Sequence, residues 1–297
     1  MEIRKGNIPK VLLACPHSDR HKEVIQDWFK HLDKLNYPEF DVCIVDNSKD
    51  EGEYYNSIKD TQVQGKKIIS WHSPWNPEKE HYLQMLARVR EEIRTYFLEH
   101  TEYDYLFFLD DDIFIPLNGV ERLLSYNKDH AGFYVHVFPE DKQMPCILKS
   151  GEIVVGKGLQ FFSFPEIDAY KEYVDKFRKG LLTEAESNLI PFIIKDTYRP
   201  QLLQAYGVNI GCLMIKRSSL EKVPFRTHPT FILGEDIWYF SEANEKKLEF
   251  WCDTDFRCEH RNTTWNEVDK SNIKKFKMYV AQGDSNATGA EIIEHGK

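Results

Sequence analysis

Short apolar runs alternate with helically spaced apolar positions through the first 140 residues. Val11–Cys15 is the first run and predicts a strand. Over residues 19–35, Val24, Trp28, Leu32 and Leu35 recur three or four apart, the spacing of one helix face. "FDVCIVDNS" holds a second strand, Asp41–Val45, that stops at Asp46, and "KKIIS" a third. Residues 79–99 put Tyr82, Leu86, Val89, Ile93, Tyr96 and Phe97 on one helical face. "YDYLFFLDDDIFIP" carries a fourth strand that ends in Asp110, Asp111 and Asp112 before apolar residues resume. A short helix over 117–126 and a further strand-like run, "AGFYVHVF", follow. Strands and helices in this order predict an α/β fold: an open, mostly parallel twisted sheet flanked by helices.

The pattern loosens from about 140 to 205. "SGEIVVGKGLQ" reads as a hairpin or flexible loop, and Gly151, Gly156 and Gly158 suit a lid or the rim of a site. Residues 166–178 predict a helix with Ile167, Tyr170, Val174 and Phe177 inward, and Thr183 with Glu186 has capping-box spacing. Regularity returns with a strand over Val208–Ile215 and a helix opening at or near Gly234–Glu235. "LEFWCDTDFRCEH" predicts a strand pair ending at His260, and a last helix covers 266–281. The expected organisation is one domain over 1–282. It divides into halves of about 9–139 and about 140–262, and a flexible tail occupies 283–297.

In open parallel sheets, ligands bind beyond the carboxyl ends of the strands. Two acidic features fall there, Asp46 after the second strand and Asp110–Asp112 after the fourth. On an extended chain Asp110 and Asp112 share a face and Asp111 points away. Paired carboxylates need a cation or hydrogen-bond donors. Oxygen ligands at this density suit Mg2+ or Mn2+, with a diphosphate completing the shell. Glu235 and Asp236 open a helix, where the dipole favours acids, and His260 ends a strand.

Composition narrows the partners. Hydrophobic residues at 41% are enough for a sizeable core, and no window approaches the apolar length of a membrane span. The N-terminal apolar run is too short for a secretory signal, and the six cysteines form no CxxC pair. Reduced core cysteines and a cytoplasmic location are the expectation. A net charge of −9 disfavours nucleic acid and anionic membranes, although "KRSSLEK" and "KSNIKKFK" are locally basic.

Taken in order, Val45-Asp46-Asn47-Ser48-Lys49-Asp50, Asp110-Asp111-Asp112, Gly211 with Lys216-Arg217, Glu235-Asp236 and His260 resemble the GT-A glycosyltransferases. The likeness is greatest to the inverting enzymes of glycosyltransferase family two, and it covers about residues 9–262. It implies a GT-A-like sheet and a nucleotide-diphosphate sugar as donor. It also implies Mn2+ or Mg2+ and an acceptor hydroxyl on a glycan, small molecule, protein or modified base. Pro16, Asp46, Asp110 and Asp111 would contact the donor. Asp112, Asp110 and His260 would hold the metal. Asp236 would be the base, with Glu235 beside it. The family's "ARN" is "ARV" here, Ala87-Arg88-Val89, and Trp238, Tyr239 and Phe240 stand where it commonly has an arginine. Those aromatics suit either a sugar ring or the core. A nucleotidyltransferase also uses paired acids and a metal, but its glycine-rich phosphate loop is replaced by "CPHSDRHK". A binding module and a transferase acting on a modified DNA base are the remaining alternatives.

Overall fold

A computed structural model describes residues 8–135, 148–149, 152–153, 161–162, 202–205, 207–227 and 235–261. The helices expected over 166–178 and 266–281, the tail, Cys146, Gly234 and the three glycines of the expected lid lie outside these residues.

The strands are β1 (Val11–His17), β2 (Phe40–Asp46), β3 (Ile68–His72), β4 (Tyr105–Leu109), β5 (Ile113–Phe114) and β6 (His130–Val135). They continue with β7 (Leu148–Lys149), β8 (Glu152–Ile153), β9 (Phe161–Phe162), β10 (Leu202–Ala205), β11 (Gly207–Val208), β12 (Cys212–Lys216) and β13 (Phe250–His260). The helices are α1 (Ile25–Leu32), α2 (Glu53–Ile58), α3 (Tyr82–Glu99), α4 (Gly119–Ser125), α5 (Arg217–Leu220) and α6 (Glu235–Glu245). The main sheet runs β10-β13-β6-β12-β4-β1-β2-β3, and β5 pairs with β13. β3, β2, β1 and β4 are mutually parallel, β12 lies antiparallel between β4 and β6, and β13 is parallel to β6. The molecule is thus an α/β protein with an open, mostly parallel sheet flanked by helices.

Both faces of the sheet are buried, which is why its central strands are continuous apolar runs. On one face Leu12, Ala14, Cys43, Val45, Leu106 and Phe108 pack with Val89, Ile93 and Phe97 of α3 and with Tyr239 and Phe240 of α6. On the other, Val11, Leu13, Val42, Ile44, Phe107 and Leu109 meet Trp28, Phe29 and Leu32 of α1 and Leu123 of α4. Neighbours in sequence alternate between the two cores, as the two-residue period of a strand requires. Each fully buried Leu or Phe contributes about 1.5–3 kcal/mol over exposure.

The α3 helix buries Met85, Val89, Ile93 and Phe97, four residues apart, whereas Tyr82, expected inward, is 36% exposed. Its start is a capping box of His81 and Gln84. At its end Arg217 donates to the carbonyls of Phe97 at 2.9 Å and His100 at 2.7 Å. Lys216 donates to the Asn127 carbonyl at 3.0 Å. The basic turn therefore closes the fold on the side away from the acids.

Two other expectations change. The second half holds one long strand, β13, where a pair was expected. Between Asp253 and Arg257 it bulges against β6, leaving Thr254–Phe256 outside the ladder. Arg122 braces that bulge through Asp253 and, at 2.8 Å, Asp255. The expected strand Val208–Ile215 is split by a turn before β12. The described cysteines, Cys15, Cys43, Cys212, Cys252 and Cys258, are buried free thiols. Among the described residues no helix is long and apolar enough to cross a membrane.

Candidate active site

Strand direction gathers the candidate chemistry on one edge. The carboxyl ends of β1, β2, β3, β4 and β13 bring His17, Asp46, His72, Asp110–Asp112 and His260 to the same side of the sheet. Pro16 lies one residue before His17, in register with Val45.

The three acids do not continue the extended chain of β4. Asp110 follows its last residue, and the Ile113 amide donates to the Asp110 carbonyl at 3.0 Å, so residues 110–113 form a turn. The three carboxylates consequently diverge and meet different sets of partners. Asp111 is buried, with one oxygen hydrogen-bonded to His17 Nδ1 and the other to His21 Nδ1 at 2.6 Å. Asp112, also buried, has its Oδ2 at 3.1 Å from His260 Nε2 and 3.8 Å from His21 Nε2. Asp110 Oδ1 lies 3.6 Å from Nη2 of Arg90. The repulsion built into Asp-Asp-Asp is thus met by three histidines and one arginine, drawn from β1, its following turn, α3 and β13.

The electrostatics follow from that placement. Desolvation raises the Asp110 pKa to about 6, Asp112 and Asp111 add to the rise, and Arg90 opposes it. Burial would also raise Asp111, but His17 and His21 outweigh it and hold the group well below the usual carboxylate range. Burial works against protonation of His21, yet Asp111, with Asp112 and Asp110 behind it, lifts its pKa to about 9.

Asp110 is also shaped by a glycine. Its backbone N–H donates to the Gly211 carbonyl at 2.8 Å. A Cβ on Gly211 would lie 2.1 Å from Asp110 Oδ2 and 2.6 Å from its Cγ. The Asp110 carboxylate therefore occupies the space that a side chain at 211 would need.

Arg90 joins the strand-end acids to the helix-start acids. It is 4% exposed, its Nε donates to Glu235 Oε1 at 3.1 Å, and its guanidinium stacks 5.0 Å from the Phe108 ring centre. Among the described residues its buried Nη1 has no hydrogen-bond partner. Burial pushes the Glu235 pKa upward; Arg90 opposes this and neighbouring Asp236 adds to it. Asp236 is half-buried in the first turn of α6. Tyr239 and Phe240 are core residues at 0% and 2% exposure, which decides between core and sugar ring for those two.

Asp46 is fully buried. Its Oδ1 accepts from the Ser48 hydroxyl at 2.6 Å and the Ser48 amide at 3.2 Å, and its Oδ2 meets His72 Nδ1 at 2.8 Å. Beside it, at the mouth of the strand ends, Trp75 and Tyr82 pack edge to face at 5.5 Å. Lys49 lies over the Trp75 ring at 4.4 Å and Arg20 over Tyr82 at 5.2 Å.

Sequence reasoning missed His17, His21, His72 and Arg90. His17 and His21 lie in "CPHSDRHK", four residues apart at and just beyond the end of β1, which was their available signal. Arg88 drew notice through the "AR" pair, but it is bound to Glu80 at 2.7 Å and Glu92 at 2.9 Å. The arginine of the crevice is Arg90, two residues on.

The donor set fits a divalent cation. His21, Asp111 and Asp112 have ligand atoms within 4.8 Å of one another, and His260 Nε2 approaches the same Asp112 oxygen as His21 Nε2, at 3.1 Å against 3.8 Å. Such a mixed oxygen and nitrogen set suits Mn2+ better than Mg2+.

No family model matches the chain, and no curated protein matches its sequence. Among solved structures, A197 from STIV is similar to it at 17% identity and a TM-score of 0.38, over 84% of this chain and 85% of that one. S. aureus TarS is similar at 11% identity and a TM-score of 0.45, and its 1–349 form at 10% and 0.46, each over 84% of this chain. The chain spans 36% of the first TarS chain and 59% of the second. All three TM-scores lie below 0.5.

Proposed function

We propose that the protein is a metal-dependent inverting glycosyltransferase that moves a sugar from a nucleotide-diphosphate donor to an acceptor hydroxyl. One observation supports this above the others: Arg90 ties the acids at the end of β4 to those at the start of α6 in one crevice. Donor-holding and proton-accepting carboxylates then face a shared volume, as a single displacement requires.

In this reading Asp112 and His260 hold the cation, and Asp110 faces the donor. A bound cation would neutralise charge that develops on the departing diphosphate. Arg90, with a buried N–H unpartnered among the described residues, offers the same volume a fixed positive charge. Asp46 shapes the base and ribose side by holding Ser48 and His72. Asp111 shapes the opposite wall by holding His17 and His21. Asp236 accepts the acceptor proton as the new bond forms. Glu235 has Arg90 as its partner, so its role is to place that arginine. The turn after β1, with two histidines bound to Asp111, leaves no glycine-rich cradle for a triphosphate, which disfavours the nucleotidyltransferase alternative.

The test separates binding from chemistry. Asp236→Asn keeps shape and removes charge. Donor affinity should change little while turnover falls by about 10²–10⁴-fold, the usual worth of a positioned base. Unchanged turnover, or a parallel loss of donor affinity, would remove Asp236 from that role.

A further inference from the structure

We propose that His21 is a further ligand of the cation, aimed by Asp111; the inference rests on the reading that Asp112 and His260 hold that cation. His21 ends the 3-10 turn Asp19–His21, and its amide donates to the Ser18 carbonyl at 3.1 Å. The turn is tied to the next loop, since the Asp19 amide donates to Ser48 Oγ at 2.9 Å. The ring is therefore presented from a braced segment.

Three features give the ring its direction. Nδ1–H of His21 donates to Asp111 Oδ1 at 2.6 Å, and Asp111 is itself buried and gripped by His17. That bond commits the Nδ1 proton and turns Nε2 toward Asp112 Oδ2, 3.8 Å away. His260 Nε2 approaches the same Asp112 oxygen at 3.1 Å. With Nδ1 committed to Asp111, Nε2 is the nitrogen left to coordinate a cation seated beside Asp112 Oδ2, and binding would displace its proton. A carboxylate on the far nitrogen of an imidazole is the usual support of a metal-ligating histidine, fixing its tautomer and raising its basicity.

The comparison with His17 sharpens the assignment. His17 also bonds Asp111, but it is 1% exposed and its Nε2 is engaged by the Tyr54 hydroxyl at 2.8 Å. Both of its nitrogens are used inside the protein. The His21 side chain is 22% exposed and turns its second nitrogen to the acid at the crevice. Two imidazoles beside one carboxylate would also set metal choice, favouring Mn2+ over Mg2+.

The experiment is Mn2+ titration of the full chain followed by electron paramagnetic resonance, with electron spin echo modulation from 14N reporting coordinated imidazole. The wild type should show the modulation of two imidazoles. His21→Ala should weaken Mn2+ binding by about 10–100-fold, halve the imidazole signal and reduce the preference for Mn2+ over Mg2+. Asp111→Asn should weaken binding while both imidazoles remain. His21→Gln keeps a donor for Asp111 and should melt like the wild type while binding Mn2+ as poorly as His21→Ala. If both His21 variants bind Mn2+ with wild-type affinity and 14N modulation, while Asp112→Asn does not bind, His21 is only a structural partner of Asp111. If Asp112→Asn and His260→Ala bind like the wild type, or the wild type binds no Mn2+, the underlying metal reading fails and this proposal with it.

Discussion

Gly211→Ala is a one-methyl change whose consequences are set by the Asp110 carboxylate. The new Cβ would lie 2.1 Å from Oδ2 and 2.6 Å from Cγ of Asp110, and 3.0 Å from Asn209 Oδ1. Non-bonded carbon and oxygen need about 3.5 Å, so the carboxylate must move by about 1 Å or more. Backbone retreat is blocked on both sides. The Asp110 amide is bonded to the Gly211 carbonyl, and the Gly211 amide to Asn209 Oδ1 at 2.7 Å. Gly211 is not among the glycines with positive φ, so the methyl adds crowding without backbone strain. Overpacking of this kind costs about 1–3 kcal/mol. For a domain of this size that lowers Tm by roughly 2–12 °C. A carboxylate displaced by about 1 Å should also cost on the order of 10²-fold in turnover. A double-mutant cycle isolates the cause. In an Asp110→Ala background the methyl has room, so Gly211→Ala should cost little there, giving a coupling of about 1–3 kcal/mol in thermal or urea unfolding. Additive effects, or a Gly211→Ala protein as stable as the wild type, would refute the contact as the reason for glycine at 211.

Two further predictions concern charge. Arg90→Met leaves buried Glu235 without its cation, so the folded chain must keep that carboxyl protonated at higher pH than the unfolded chain does. Stability relative to wild type should fall once pH passes about 7, where Glu235 ionises in the folded wild type but not in the variant, by up to about 1.4 kcal/mol per unit, and a pH-independent difference in urea unfolding would contradict it. His130 is fully buried between the Glu249 carbonyl at 3.0 Å and the Tyr239 hydroxyl at 3.0 Å, and burial lowers its pKa to about 4. Between pH 6.5 and 4 the unfolded chain takes up a proton that the folded chain refuses, so stability should decline by up to about 3 kcal/mol as pH falls through that window. His130→Gln should flatten this slope, and an unchanged slope would place its origin elsewhere.

The alternation of apolar runs and helical spacings was enough to read β1 to β4, α1, α3 and the parallel sheet, because both faces of that sheet are buried. The ends of β2 and β4 were legible for the same reason: an apolar run that stops in carboxylates marks the edge where strands leave the core. The turn at residues 110–113 was not, since alternation assumes an extended chain and a hydrogen bond from Ile113 to Asp110 ends it. Nor was the bulge in β13, where three residues leave the ladder and a distant residue, Arg122, holds them. His17 and His21 escaped for a further reason. Their partner Asp111 lies more than 80 residues along the chain, and no local period records a contact across parallel strands. Arg90 was hidden by periodicity itself: on α3 it sits between core positions Val89 and Ile93, and only the structure shows it buried between Asp110 and Glu235.

The central claim is tested most directly by melting the protein against a panel of nucleoside diphosphates, each with and without Mn2+. One or a few should raise Tm only when the metal is present. At a ligand concentration of 100 times Kd the stabilisation should be about 2.7 kcal/mol, or roughly 5–11 °C. Equal shifts with and without metal, or no shift with any nucleoside diphosphate, would contradict a metal-dependent nucleotide-sugar transferase.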